Sequence, residues 1–221
     1  MPDSLSRYAP LTGLAGVVLF VVGVFTGSEP PSASSSQVKV IHYYGAHRSS
    51  VETTSVLIAI SLVLLMMFAA SLRAYLRRTE SAEGVASLVL AGLTITATAG
   101  LLATAIEYSL AHNLLVFTAP GVQALNVIAQ EVVLPILAGV FLTALAAFLA
   151  AIVRGAALPR WLGWLALLVA VLSAITPLGF VGFLAFIVWV AATSIVMFMR
   201  TDAAAGDGAR PATGPAPAQS A

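Results

Sequence analysis

The chain has 221 residues, 60% hydrophobic and only 9% charged, whereas an ordinary soluble domain carries roughly 25% charge; so little charge cannot cover a water-soluble globule. The absence of cysteine excludes disulfides, thiolate metal sites, iron–sulfur clusters and cysteine nucleophiles. A formal net charge of +1 gives no reason to expect a nucleic-acid partner, and the few basic residues instead flank apolar runs, which makes them a topology signal.

The first apolar run extends from Leu11 to Thr26. Gly16, Gly23 and Gly27 recur along it at helical spacing, and Gly23 with Gly27 forms a small-xxx-small pair suited to close helix packing. These residues favour a retained span over 11–27; a cleaved signal peptide is the alternative. Residues 28–52 form the longest hydrophilic connection and contain Lys39, His42, Tyr43, Tyr44, His47, Arg48 and Glu52. Within it Ser35 or Ser36 can cap a short helix whose Val38, Ile41 and Tyr44 make one apolar stripe, as in an interfacial helix.

The second span is predicted over 53–72 and stops at Arg73, Arg77 and Arg78; a short loop with Glu80 and Glu83 leads to the third, over 85–110. The fourth covers 122–153 and ends at Arg154, with a kink expected at Pro135. The run from Arg160 to Met199 is, as helix, roughly 60 Å long, enough for two crossings of a 30 Å core. Spans over 160–176 and 178–199 follow, turning at Thr176-Pro177-Leu178-Gly179. Residues 1–10 form a short cytoplasmic start, and 201–221, rich in Ala, Gly, Pro and Ser, a disordered cytoplasmic tail.

The predicted fold class is therefore all-α: a polytopic membrane helical bundle of about six transmembrane helices in a single domain. Six crossings gather Arg7, Arg73, Arg77, Arg78, Arg154, Arg160, Arg200 and Arg210 on one side and leave only Lys39 and Arg48 on the other. The positive-inside rule makes the arginine side cytoplasmic, with both termini. Trp161 and Trp164 beside Arg160 suit an inner interfacial belt, and Trp189 suits core or lipid-facing packing.

Charged side chains within apolar runs are costly, which marks Glu107 and Glu131 as candidates for function. Counting along the helices puts both near the outer edge of the core, level with Glu52 at the head of the second span. Just outside that level come His42, His47 and His112, with Tyr43, Tyr44 and Tyr108. Carboxylates and imidazoles there could form a proton or cation site at Glu107, Glu131 and Glu52, or a metal site using His42, His47 and His112, the only cofactor the residues suggest. The alternative is a plain polar outer rim: the pairs His42/His47 and Glu107/His112 are five apart, which on one helix turns them away from each other.

Gly92, Thr96, Gly100, Thr104 and Glu107 form one stripe on the third span, a face expected to pack inside the bundle. Gln123, Asn126 and Gln130 share a face near Glu131, which admits either a water-filled outer vestibule or amides that join helices. Equal depth and a short connection lead to the expectation that Glu107 and Glu131 face each other. Met66 and Met67 read as core filler, and no phosphate loop, nucleophile elbow or haem-attachment sequence occurs.

Four segments carry a resemblance: Val40-Ile41-His42-Tyr43-Tyr44-Gly45-Ala46-His47-Arg48, Met67-Phe68-Ala69-Ala70-Ser71-Leu72-Arg73-Ala74-Tyr75-Leu76-Arg77, Pro159-Arg160-Trp161-Leu162-Gly163-Trp164 and Thr176-Pro177-Leu178-Gly179-Phe180-Val181-Gly182-Phe183. With them, most of residues 10 to 200 resembles an uncharacterised family of multi-pass membrane proteins common in actinobacteria. The resemblance implies a bacterial plasma-membrane location and assigns no catalytic residue. The expected function is that of an integral membrane protein with a transport, sensing or accessory role. The competing reading is a membrane-embedded metalloenzyme using the outer His/Glu cluster. A hydrolase or oxidoreductase acting alone is not expected, because no nucleophile–base pair or spaced ligand set is present. Expected partners are the lipid bilayer and either another membrane protein or a second copy of the chain.

Overall fold

Alanine and leucine, the strongest helix formers, dominate the apolar runs, and helix is what they form. The computed structural model describes residues 8–77, 83–152, 158–175 and 178–208, with side chains described as far as Arg200. Its helices are α1 (Leu11–Thr26), α2 (Gln37–Ala46), α3 (Arg48–Leu76), α4 (Glu83–His112), α5 (Ala119–Glu131), α6 (Val133–Ile152), α7 (Arg160–Ala174) and α8 (Gly179–Gly208). A 3-10 turn, Leu114–Val116, lies between α4 and α5, and no strand occurs among the described residues. Four stretches are long and apolar enough to cross a membrane: Arg48–Leu76, Glu83–His112, Ala119–Ile152 and Gly179–Arg200.

Six helices form a closed ring in which α1 packs on α3, α3 on α4, α4 on α6, α6 on α7, α7 on α8, and α8 returns to α1. The two remaining helices, α2 and α5, pack on each other and on α4 at one end. The main core runs through the ring and is rich in small residues, among them Ala86, Ala144, Ala147, Ala151, Ala166 and Ala170. A smaller core of Val40, Tyr44, Val51, Leu110, Ala111 and Val122 lies beneath α2 and α5.

Glycine lets the backbones meet. A Cβ on Gly92 of α4 would sit 2.7 Å from the carbonyl oxygen of Gly139, and one on Gly139 of α6 would sit 2.6 Å from that of Gly92. Along α1 the contacts are sequential and antiparallel: Gly13 faces Phe68, Gly16 faces Ser61, Gly23 faces Ile58 and Gly27 faces Thr54. The expected Gly23/Gly27 packing face is thus found, and α1 lies along most of α3.

Several boundaries differ from those expected. α3 starts at Arg48, so Glu52 lies inside the helix, and α4 runs to His112. The predicted fourth span divides at Val132 into α5 and α6. Pro135 has no N–H to give the Glu131 carbonyl, so the break falls one turn before the proline. The stripe predicted for α2 is displaced: Val40 and Tyr44 are buried while Val38 is 78% exposed. The helix is docked edge-on against α4 and α5, and Ser36 caps it by accepting from the Lys39 N–H. α8 continues to Gly208, where Ala203, Ala204 and Ala205 favour helix. Trp189 is fully buried and its Nε1–H donates to the Leu162 carbonyl at 3.2 Å, whereas Trp161 and Trp164 are exposed. Arg7, Arg78, Glu80, Arg154, Arg210 and the Thr176-Pro177 part of the expected turn lie outside the described residues, as do 209–221.

The Gly92–Gly139 crossing makes a stability prediction. Gly92→Ala and Gly139→Ala each force two backbones apart, at about 2–3 kcal/mol, and should lower the melting temperature of the detergent-solubilised protein by roughly 5–10 °C. Gly84→Ala, where a Cβ meets nothing within 4 Å, should leave it unchanged.

Candidate functional site

The end of the ring covered by α2 and α5 gathers most of the polar chemistry. Its foundation is the segment 28–36, in which Pro30, Pro31 and a run of serines form no helix and leave backbone carbonyls without helical donors. Side-chain amides of α5 supply those donors. Asn126 Nδ2 donates to the Pro31 and Ser32 carbonyls, at 3.4 Å each, and Gln123 Nε2 to those of Ala33 and Ser35, at 3.2 and 3.0 Å. From α2, the Tyr43 hydroxyl donates to the Ser28 carbonyl at 2.6 Å, and the Tyr44 hydroxyl to Asn126 Oδ1 at 3.4 Å. Asn126 is fully buried. The face read as either a vestibule lining or a set of helix-joining amides is therefore occupied by the chain's own 28–36 segment, and the amides act as its latch.

Beside this cap, α3 and α4 are joined by a charged cluster. Arg48 and Glu52 are one turn apart on α3, with Nε donating to Oε1 at 2.9 Å. His112, the last residue of α4, brings its Nδ1 to 3.0 Å from the same oxygen. Arg48 Nη2 also lies 3.4 Å from His112 Nδ1. One ring nitrogen cannot donate to Glu52 and accept from Arg48 at once; the shorter, charge-assisted contact puts the proton on Nδ1 and makes the Arg48 approach a near-contact only. Tyr108, one turn earlier on α4, stacks on His112 with centroids 5.4 Å apart and planes 10° from parallel. The same i, i+4 pairing recurs on α2, where Tyr43 stacks on His47 at 4.9 Å and His47 Nδ1 lies 3.1 Å from the Tyr43 carbonyl.

Glu107 is half-buried beneath α2. Burial pushes the Tyr43 phenol up to about 12, and the negative field of the Glu107 carboxylate adds to the shift; burial and then Glu107 raise Tyr44 still further. Both phenols thus remain neutral donors through the physiological range. Glu131 is exposed at the end of α5.

Of the residues singled out in the sequence, the fold brings together Glu52 and His112, which had been assigned to different candidate sites. His42 is exposed and His47 turns back to its own helix, so the three histidines occupy three separate settings. Among the described residues no three His, Asp or Glu side chains group as they would to hold a metal ion. In the sequence Arg48 stands out only as a charge on the outer side; its place one turn before Glu52 is the signal that finds it. Gln123 and Asn126 were visible as a polar face, but their partners lie some ninety residues earlier in the chain and no local pattern reveals them. No model of a known protein family matches the chain, and no curated protein or solved structure is significantly similar to it.

The latch can be tested directly. Asn126→Ala strands the Pro31 carbonyl and the Tyr44 hydroxyl and leaves the Ser32 carbonyl only the Ser35 N–H, a loss of about 1–3 kcal/mol. Amide hydrogen exchange across residues 35–44 should then accelerate roughly tenfold or more, with exchange at 60–70 unchanged. Equal exchange in the two proteins would show that the amides do not hold the cap.

Proposed function

We propose that the chain is an integral protein of the bacterial plasma membrane that crosses the bilayer six times with both termini in the cytoplasm, and that its outer end carries a proton-responsive site built on Glu52, His112 and Arg48. Four membrane-length apolar helical stretches support the membrane reading. The two shorter ones, roughly 24 and 22 Å long, support six crossings: α1 lies along α3, and α7 pairs with α8 from Leu162 opposite Trp189 to Ser173 opposite Gly182. Orientation rests on charge: Arg73, Arg77, Arg160 and Arg200 lie at the end opposite the cap, next to the exposed Trp161 and Trp164. The resemblance to actinobacterial membrane proteins agrees with the location.

The observation that carries the functional reading is the His112–Glu52 bond, which ties α3 to α4 through an imidazole and a carboxylate, two side chains that can gain and lose protons. A second proton on the imidazole turns this hydrogen bond into an ion pair, so acid tightens the α3–α4 contact at the outer surface. All three members are partly exposed, so the bias is small and suits a sensing or accessory role. Transport has less support: among the described residues the buried polar side chains are Ser, Thr and Asn, and a proton or cation path through the ring would need charged groups at mid-depth. The metalloenzyme reading has no comparable support, with His42, His47 and His112 in separate settings.

Two experiments test this proposal. The chain lacks cysteine, so single cysteines report topology cleanly. In intact cells a membrane-impermeant thiol reagent should label Ser35→Cys and Thr118→Cys but not Ser81→Cys or Ala203→Cys, and the reverse pattern overturns the orientation. In the reconstituted protein, exchange protection of residues 48–56 and 108–112 should rise on mild acidification, and His112→Gln should abolish that dependence. A pH response that survives His112→Gln contradicts the sensing reading.

A further inference from the structure

Below the Glu52–His112 bridge, a groove of ≈ 400 Å³ runs between α3 and α4 and opens sideways, away from the ring. Ser55, Val56 and Ala59 line it on α3, and Leu101 and Ala105 line its deeper part on α4. Nearer the bridge it is flanked by Tyr108 and Ser109. From Arg48 to Ala59 the helix rises roughly 16 Å, about half of a 30 Å hydrocarbon core. The groove and the charged rim above it together therefore match the depth of one leaflet, with the charged end at the surface.

Two features specify more than an apolar crevice. Ser55 is only 3% exposed, yet its hydroxyl has no hydrogen-bond partner. Serine inside a helix commonly satisfies itself on the carbonyl one turn before, as Ser194 does on Val190 at 2.9 Å; Ser55 instead leaves a donor unused beside the groove. Above it, the rim carries charges of both signs. Glu52 receives Arg48 and His112 through Oε1, and its Oε2 takes no bond among the described residues. The Arg48 side chain is 54% exposed and commits only Nε to Glu52.

We propose that this groove binds one outer-leaflet glycerophospholipid whose headgroup carries a phosphate and a primary ammonium. Arg48 receives the phosphate through its free guanidinium N–H groups, and Glu52 Oε2 accepts from the ammonium. The Ser55 hydroxyl donates to an ester carbonyl, and one acyl chain lies along Val56, Ala59, Leu101 and Ala105. The paired charges discriminate between headgroups: a singly anionic lipid meets repulsion from Glu52, and a quaternary choline has no N–H to offer it. The outer-leaflet assignment rests on the orientation proposed above; the pairing of headgroup with Arg48 and Glu52 does not.

The test uses the full chain in detergent, equilibrated with equal amounts of phosphatidylethanolamine, phosphatidylglycerol and phosphatidylcholine and read by native mass spectrometry. One phosphatidylethanolamine should be retained in preference to either of the others by about fivefold or more, the scale of one charge-assisted hydrogen bond. Glu52→Gln should reverse the preference toward phosphatidylglycerol, since it removes both the ammonium's partner and the repulsion. Val56→Trp fills the groove from a position that is 48% exposed, and so spares the core; it should abolish retention of every lipid. Ala138→Trp, in the lateral cleft between α6 and α7, should change nothing. Equal retention of the three lipids by the native chain, an unchanged preference in Glu52→Gln, or full retention in Val56→Trp overturns the proposal. Because a detergent assay is blind to sidedness, a reversed cysteine-labelling pattern would move the lipid to the other leaflet without touching this result.

Discussion

The contact between Gly92 and Gly139 is the constraint on which the arrangement rests. In hydrocarbon, apolar side chains gain nothing by leaving lipid for a neighbouring helix, so association depends on how closely backbones approach. With hydrogen at both positions, the carbonyl of each helix lies against the other's chain. Of the hydroxyls beside the crossing, Thr143 donates within its own helix to the Gly139 carbonyl at 2.8 Å, while Thr96 lies 3.1 Å from the Gly92 carbonyl of its own helix and 3.4 Å from the Ile136 carbonyl of α6. Neighbours extend the same logic. Gly100 admits Leu62 from α3, Gly163 seats α7 against Ala151 of α6, and Gly182 brings α8 onto Ser173 of α7. The ring closes because small residues recur at each seam.

A core built that way leaves little room for charge, and the charged residues are found at its two ends. The ends differ in kind. One presents arginines, with Arg77 paired to Glu83 at 3.2 Å. The other is closed by a short helix and a proline–serine segment whose carbonyls are held by Asn126 and Gln123. Under that cap Glu107 lies near two neutral phenols, and beside it Arg48, Glu52 and His112 link α3 to α4. The seam between those two helices is therefore where a change of protonation or a bound headgroup would be felt.

Much of this was legible in the residues. Runs of Ala, Leu and Val gave the helices, Gly23 and Gly27 gave the face on which α1 packs, and Pro135 gave the break in the fourth run. The level at which Glu52 and His112 meet followed from counting residues along two helices. What could not be read was rotation. A ten-residue helix offers several plausible apolar faces, and which of Val38 and Val40 is buried depends on where α5 lies, a fact carried by residues some eighty positions away. Counting places Glu107 and Glu131 at one depth by the same arithmetic and says nothing of how each helix is turned. Depth follows from sequence separation along one helix, whereas lateral pairing requires the packing of several.

The crossing number decides whether the cap and the arginines stand on opposite sides of a bilayer, because it fixes how α1 and α7 run. Amide hydrogen exchange of the protein in liposomes measures it segment by segment. With six crossings, the central residues of Leu11–Thr26 and Arg160–Ala174 remain as protected over hours as those of Arg48–Leu76 and Glu83–His112, since no water reaches them. Exchange in 14–23 or 163–172 as fast as in residues 32–36 would leave only the four longer helices in the membrane and would contradict the six-crossing architecture.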